Sequence, residues 1–198
     1  HRQTVDRPHR VGEGVLSMGA PHPAPLPGGE GVLFIEPIGG LAGDMFLAAA
    51  LDLGVNLDAL VSQLKTLKVP NWELKVTRTE RHHLFGTHVD VVVTEPETGH
   101  VHRSWKDIDA LIAASGLSAT AKANALKVFR LIGEVEAKIH GTTIDEIHFH
   151  EVGAVDAIVD IVCAAVGTEA LGVDEIVCSS LNVGGGTVKC AHGTFPVP

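Results

Sequence analysis

The segment HFHEVGAVDAIVDIV holds the residues of this chain that are best suited to chemistry. His148 and His150 are two residues apart, so in an extended segment both imidazoles point to one side and can chelate a divalent metal ion. Glu151 follows and can add an oxygen ligand or act as a base. Asp156 and Asp160 are four residues apart, which places both carboxylates on one face of a helix. Two histidines with carboxylates suit nickel, zinc, iron or manganese.

The same segment also has a purely structural interpretation. His148 can be a core histidine beside Ile147 and Phe149, and the two aspartates can cap a helix or pair with lysines. Carboxylates beside so many apolar neighbours need partners, which favours a site slightly. Residue types alone leave both interpretations open.

A second pair of histidines lies in the segment GHVHRS. His100 and His102 have the same spacing of two and precede a helix, in a loop, where binding residues concentrate. Arg103 can hold a phosphate or carboxylate through two parallel hydrogen bonds. The alternative is a solvated loop in which Ser104 caps the helix.

The segment PIGGLAGDMF predicts a glycine-rich turn between a strand and a helix. Gly40 and Gly43 would let backbone N–H groups approach a phosphate at the helix start. Asp44 can cap this helix or bind a metal ion, and the cap is the favoured role. The segment lacks both the Gly-Lys-Ser/Thr ending of a P-loop and the GxGxxG pattern.

The segment NVGGGTVKCAHG predicts a second flexible turn, at Gly185. Lys189, Cys190 and His192 follow, and the thiol and imidazole can bind a soft metal ion or supply a nucleophile. The alternative is a buried cysteine beside a turn.

These segments need strands and helices to hold them in place. VLFIE predicts a buried strand, followed by a helix that Gly54 ends and by another, from Asn56 to about Leu67. WELKVTRTER and THVDVVVTE predict an antiparallel pair of strands. The end of the chain, from Val183 to Pro198, is predicted to be rich in turns.

Three helices are predicted in the second half of the chain. One is capped by Ser104, one runs from about Ser118 to His140, and one runs from about Ala154 to Leu171. EIVCSS predicts a strand after them. The apolar stripe of the long helix is assigned to Ala125, Val128, Phe129, Ile132, Val135 and Ile139. The predicted fold class is α+β, with α/β also open: a small β-sheet packed with several helices.

Composition excludes several classes of function. The net charge of −9 disfavours binding to nucleic acid, and no apolar run reaches the roughly 20 residues that span a membrane. Three cysteines do not make a disulfide framework, so we expect free thiols and a cytoplasmic location. Residues 1–31 are predicted to be a disordered extension and residues 32–198 an ordered domain.

Several segments together resemble one family. IEPIGGLAGDMFLAAALDLGV, HRSWKDIDALI, HFHEVGAVDAIVDIVCAAV and SSLNVGGGTVKCAHGTFPVP resemble the LarC family of nickel-insertion proteins, in the family's order and over roughly residues 32–198. The resemblance implies a chelatase of the lyase class. Such a protein inserts nickel into a pyridinium bis-thiocarboxylate mononucleotide, making the nickel-pincer nucleotide of lactate racemase-type enzymes.

The resemblance also implies partners. They are CTP with manganese or magnesium, the thiocarboxylated nucleotide, and an apo enzyme of the lactate racemase type that receives the product; a homo-oligomer is compatible with it. Members often carry a longer histidine run before the Arg-Ser pair, so nickel storage on this loop is not expected. The family continues beyond Pro198, and we associate binding of the nucleoside triphosphate with its C-terminal domain.

The implied reaction suggests a role for each candidate residue. Nickel needs nitrogen or sulfur donors, and the loss of a ring proton needs a base. The metal ligands are assigned to His148, His150, His100, His102 and Asp160, and the base to Glu151 or Asp156. The groups assigned to substrate or phosphate are Gly40, Gly43, Asp44, Arg103, Gly185, Lys189, Cys190 and His192.

Two other classes of function stay open. One is a nickel-binding chaperone module without catalysis. The other is a metal-dependent hydrolase built on the histidines and aspartates, which the low basicity of the chain disfavours as a nuclease.

Overall fold

Helices and two-stranded sheets alternate along the chain in a computed structural model that describes residues 31–38, 40–94, 103–149, 152–190 and 193–197. This arrangement confirms the predicted α+β class. The helices are α1 (Gly43–Asp52), α2 (Leu57–Leu64), α3 (Trp105–Ala113), α4 (Ala119–His140) and α5 (Val155–Leu171), with a 3-10 turn at Ile144–Glu146. The strands are β1 (Val32–Ile35), β2 (Trp72–Arg81), β3 (Leu84–Val93), β4 (Arg103–Ser104), β5 (His148–Phe149), β6 (Glu175–Cys178), β7 (Thr187–Cys190) and β8 (Gly193–Pro196).

Several helix ends lie at capping residues that the sequence predicts. The side chain of Asn56 accepts a hydrogen bond at the start of α2, and Ser104 forms a capping box with Asp107 at the start of α3. Gly141 and Gly172 end α4 and α5 in the left-handed conformation that suits glycine. The helix α2 ends at Leu64, three residues before the predicted Leu67.

The helix α5 forms the centre of the core. Its side chains Ile158, Val159 and Val162 are fully buried, and α1, α2 and α4 all pack against it. Phe129 of α4 and Phe149 of β5 are buried beside it with their rings edge to face, 6.1 Å apart between centroids. Because several elements pack around this helix, most of its side chains are buried. This burial explains why the sequence of the helix is almost continuously apolar.

The predicted apolar stripe of α4 is partly wrong. Val135 and Ile139 are 60% and 76% exposed, and Val128 is also exposed. The helix instead buries an i, i+4 row of mostly small residues: Ala121, Ala125, Phe129, Gly133 and Ala137. Small side chains let α4 approach its neighbours closely: a Cβ atom built on Gly133 would lie only 3.2 Å from the ring of Phe149, closer than ordinary van der Waals contact.

The strands pair two by two within the described residues. The predicted antiparallel pair is confirmed as β2 and β3, joined by a turn at His82 and His83 with positive φ angles. Within the end of the chain that was predicted to be rich in turns, β7 and β8 pair as antiparallel strands. The strands β1 and β6 run parallel, with Ile35 opposite Cys178, and β1 leads directly toward α1.

The helices α1 and α5 run side by side in the same direction. A Cβ atom built on Gly43 would lie 2.6 Å from the backbone oxygen of Asp160, and one built on Gly167 would lie 3.4 Å from the ring of Phe46. Both helices therefore begin at the same end of the molecule. Gly43 is the point of closest approach, because there the backbones meet with no side chain between them.

We expect the substitution Gly43→Ala to destabilise the fold by about 2–3 kcal/mol, because the added methyl group must push α1 away from α5. Gly86→Ala is the matched control, since a Cβ atom at Gly86 would meet nothing within 4 Å. Urea denaturation followed by circular dichroism measures both. Equal stability of the two variants would show that α1 and α5 do not touch at Gly43.

Candidate functional site

Three carboxylates meet where α1 and α5 come together. Asp44 lies in the first turn of α1, Asp156 in the first turn of α5, and Asp160 one turn further along α5. The negative charges of Asp44 and Asp156 both act on Asp160. We call these three residues the acidic cluster. The spacing of Asp156 and Asp160 predicted their shared face, and the contact at Gly43 adds Asp44 from another helix.

Asp160 is the unusual member of the acidic cluster. Its Oδ1 atom is buried and has no hydrogen-bond partner among the described residues. Burial, followed by the charges of Asp44 and Asp156, raises the pKa of this carboxyl from 3.8 to about 6. A carboxyl with that pKa exchanges its proton near neutral pH, which is the property required of a general acid or base.

The two helix starts partly offset the charge of the cluster. Each helix carries a partial positive charge at its N-terminus, and α1 and α5 present these ends at the same side. Asp44 was favoured as the cap of α1, and this is wrong: the N-cap is Ala42, with no side-chain cap, and Asp44 accepts a hydrogen bond from the backbone N–H of Met45. Its carboxylate lies within the first turn, where it acts on Asp160 instead.

A cavity of about 240 Å³ opens beside Asp160. Its other walls are mostly apolar, and they include Leu41 and Phe46. A larger crevice of about 410 Å³ lies along α1 and β1 and shares Leu41 and Phe46 with the first. The reactive carboxyl is thus next to a space that a small ligand can enter.

One end of the crevice lies at the carboxyl end of β1, which pairs in parallel with β6. β1 leads through Glu36 and a turn at Gly40, which has a φ of +98° that favours glycine, into α1. β6 ends beside it, and the N–H of Ser179 donates to the carbonyl of Ile35. In open parallel sheets, ligands bind outside the carboxyl ends of the strands, next to the helix that follows.

A second cluster surrounds His148. Its strand β5 pairs with β4, so that His148 lies opposite Ser104 and Phe149 opposite Arg103. His148 is exposed, whereas the next residue of β5, Phe149, is buried. The interpretation of His148 as a core histidine is therefore wrong. Hydrogen bonds from Ser104 lower the pKa of Asp107, and His148 and Arg103 lower it further by their charges.

Arg103 has a clear structural contact. Its guanidinium donates a 2.6 Å hydrogen bond to the carbonyl of Gly153, in the segment that connects β5 to α5. A Cβ atom on Gly153 would lie 2.9 Å from the carbonyl oxygen of Phe149, so this connection is tightly packed. The structure therefore brings together Arg103 and Ser104 of one predicted segment with His148, Phe149 and Gly153 of the other.

The structure does not join His148 to the acidic cluster. The charges that act on Asp160 come from α1 and α5, whereas His148 acts on Asp107 of α3. Throughout the described part of the chain, no three His, Cys, Asp or Glu side chains are arranged to hold a metal ion. His100, His102, His150, Glu151 and His192 lie outside the described residues.

The last predicted group lies on the C-terminal segment. Gly185 and Lys189 are exposed, and a Cβ atom on Gly185 would meet nothing within 4 Å. Cys190 ends β7. The two cysteine thiols that the structure describes are free, Cys163 within the core and Cys178 at the surface.

Sequence reasoning missed the walls of the crevice. Glu36, Leu41 and Phe46 were not predicted as site residues, although Glu36 follows directly after a strand that enters a glycine turn. A carboxylate in that position is itself a signal, because ligands gather at the carboxyl ends of parallel strands.

Comparison with known proteins gives a consistent answer. The family model described as "Nickel insertion protein" matches residues 33–198. The chain belongs to the nickel insertion protein family.

Individual relatives bear the same kind of name. A "Putative nickel insertion protein" of Myxococcus xanthus is 54% identical over 84% of this chain and 43% of its own length. A "Pyridinium-3,5-bisthiocarboxylic acid mononucleotide nickel insertion protein" of Akkermansia muciniphila is 46% identical over 80% of this chain and 41% of its own length. The chain thus spans about two fifths of the length of these members of the family. No solved structure matches it.

The helices of the described ranges differ from membrane-spanning helices. None of them combines the length and the apolar character that crossing a membrane requires.

We expect Asp160→Asn to stabilise the fold at pH 7. The raised pKa means that the folded state holds its proton between about pH 4 and pH 6 while the unfolded state has lost it, so stability falls as pH rises through that window. The variant should gain on the order of 1 kcal/mol at pH 7, discounted because the side chain is partly exposed, and nothing below pH 4.

Thermal unfolding at pH 4 and pH 7 measures this effect. The exposed Asp109 on α3 provides the control Asp109→Asn, which should change stability little at either pH. An Asp160→Asn variant that is less stable than the parent at pH 7 would mean that the carboxylate has a stabilising partner.

Proposed function

We propose that this chain carries out the metal-insertion chemistry for which its relatives are named: nickel insertion into a pyridinium bis-thiocarboxylate mononucleotide. One observation carries the proposal beyond family membership. Asp160 keeps a buried carboxylate oxygen without a partner among the described residues, beside a cavity of about 240 Å³ and near the common start of two parallel helices. Such an arrangement costs stability and is maintained where a proton must be taken up.

The reaction needs a group of that kind. In our proposal a ring C–H bond of the pyridinium breaks, its electron pair forms the bond to nickel, and the proton passes to the carboxylate of Asp160. The two sulfur–nickel bonds use the thiocarboxylate sulfurs and release no further ring proton. Asp44 and Asp156 support the step, because their charges keep the proton affinity of Asp160 high.

Nickel is a substrate of the proposed reaction, and nitrogen donors would coordinate it before insertion. His148 is exposed and accessible on β5, and the imidazole nitrogens of histidine suit nickel. His102 and His150 are the sequence neighbours of Arg103 and Phe149, which lie opposite each other in the β4–β5 pair. We therefore assign transient nickel binding to His148, His150, His100 and His102. Asp160, which was assigned to the metal ligands from the sequence, takes the role of base in this proposal, and the predicted bases Glu151 and Asp156 stay as alternatives.

CTP with manganese or magnesium belongs to the proposal through the family resemblance alone. Carboxylate oxygens are the ligands these ions prefer, but the described residues of the acidic cluster are not arranged as a metal site. No step is assigned to a resident metal ion. The recipient enzyme, a homo-oligomer and the phosphate-binding roles of Gly40, Gly43, Arg103, Gly185, Lys189, Cys190 and His192 likewise stay predictions.

The role of Asp160 can be tested in a full-length relative. Residues 33–198 would replace the matching segment of the Akkermansia muciniphila protein, which is 46% identical. We expect the chimaera to convert the thiocarboxylate nucleotide with nickel, CTP and magnesium or manganese, followed by mass spectrometry. Asp160→Asn should lower the rate by a factor of about 100 or more, the contribution typical of a general base.

Asp109→Asn in the same chimaera is the control and should leave the rate unchanged. A chimaera that binds nickel but never forms product would favour the chaperone alternative. Full activity of the Asp160→Asn chimaera would remove Asp160 from the mechanism while leaving the reaction in place.

Nickel binding by the chain itself gives a separate test. We expect His148→Ala to weaken nickel binding about tenfold or more in calorimetry, because an imidazole donor is lost. His83→Ala changes an exposed histidine in the β2–β3 turn and should have no effect. If His148→Ala binds nickel as tightly as the parent, His148 is not a ligand.

A further inference from the structure

The crevice of about 410 Å³ has a composition that points to one class of ligand. Its walls are formed by apolar side chains of α1 and of the turn before it, including Ile38, Leu41, Met45 and Phe46. Glu36 is the one charged residue among its described walls. A space lined by apolar groups with a single carboxylate fits a flat ring that carries a positive charge.

We propose that this crevice binds the pyridinium ring of the nucleotide, with Glu36 offsetting the positive charge of the ring nitrogen. This inference rests on the proposed function, since it names the part of that site which holds the ring. The volume lies within the range of small-molecule sites and exceeds what one substituted ring needs.

The position of the crevice relative to Asp160 supports the assignment. Leu41 and Phe46 line both the crevice and the cavity that contains Asp160, so the two spaces lie side by side. A ring held in the crevice would therefore lie next to the cavity that contains the carboxyl. One end of the crevice also lies near the start of α1, where a phosphate attached to the same nucleotide can meet the backbone N–H groups of the first helical turn.

If Glu36 contributes to binding, a positively charged ring should bind more tightly than an uncharged ring of the same size, which apolar contacts alone would not produce. Nicotinamide mononucleotide has a pyridinium ring, and its 1,4-dihydro form has an uncharged ring of the same size on the same ribose phosphate. We expect the chain to bind the oxidised form about fivefold more tightly, the scale of one partly exposed charge pair. Glu36→Gln should remove the preference without abolishing binding, because the apolar walls are unchanged.

Location in the crevice needs a steric test. Ala49 is an exposed residue of α1 on the crevice wall, and Ala49→Phe should weaken binding of nicotinamide mononucleotide about tenfold or more by filling the space. Ala123→Phe makes the same change on an exposed position of α4 and serves as control. Calorimetry measures the binding constants of the parent and of all three variants.

Three results would overturn the inference: no measurable binding of the nucleotide, unchanged binding by Ala49→Phe, or a preference that survives Glu36→Gln. These outcomes are independent of the chimaera assay. Product formation by the chimaera without nucleotide binding in the crevice would refute the ring site alone. Binding in the crevice by a chain whose chimaera forms no product would uphold the ring site and refute nickel insertion.

Discussion

The contact between Gly43 of α1 and the backbone of Asp160 in α5 determines the site. Because no side chain separates the two helices there, Asp44 lies close enough for its charge to act on Asp160. The same contact encloses one carboxylate oxygen and leaves it without a partner among the described residues. A bulkier residue at position 43 would relieve the burial and disperse the charges, so packing and chemistry depend on one glycine.

The arrangement destabilises the start of α5, and the burial of the rest of that helix compensates for this. A partly buried, unpaired carboxylate beside two others opposes folding. The following turns of the same helix bury Val162, Cys163 and Val166 almost completely, and α1, α2 and α4 cover them. The unpaired carboxyl thus lies in the first turns of the helix that buries the most residues, where the surrounding core holds its backbone in place.

Local signals in the sequence predicted much of this fold, and the reasons for the failures are physical. Asn56 and Ser104 act through bonds within one turn, so their caps were predictable, as was the shared face of Asp156 and Asp160. The approach of Asp44 depends on a contact across 117 positions of sequence, from residue 43 to residue 160, that no local pattern encodes. The exposed Val135 shows the same limit, because the close packing of small residues, not hydrophobicity, decides which face of α4 is buried.

The separation of His148 from the acidic cluster makes Arg103 more important as a positioning residue than as a phosphate ligand. Nickel bound to histidine and a proton taken up by Asp160 can act on the same substrate only if the distance and orientation between the two clusters are fixed. The segment that connects β5 to α5 fixes this geometry. The hydrogen bond from Arg103 to the carbonyl of Gly153 holds that segment against β4. Since the same strand leads into the capping box of α3, His148 is positioned relative to α3 and α5 together.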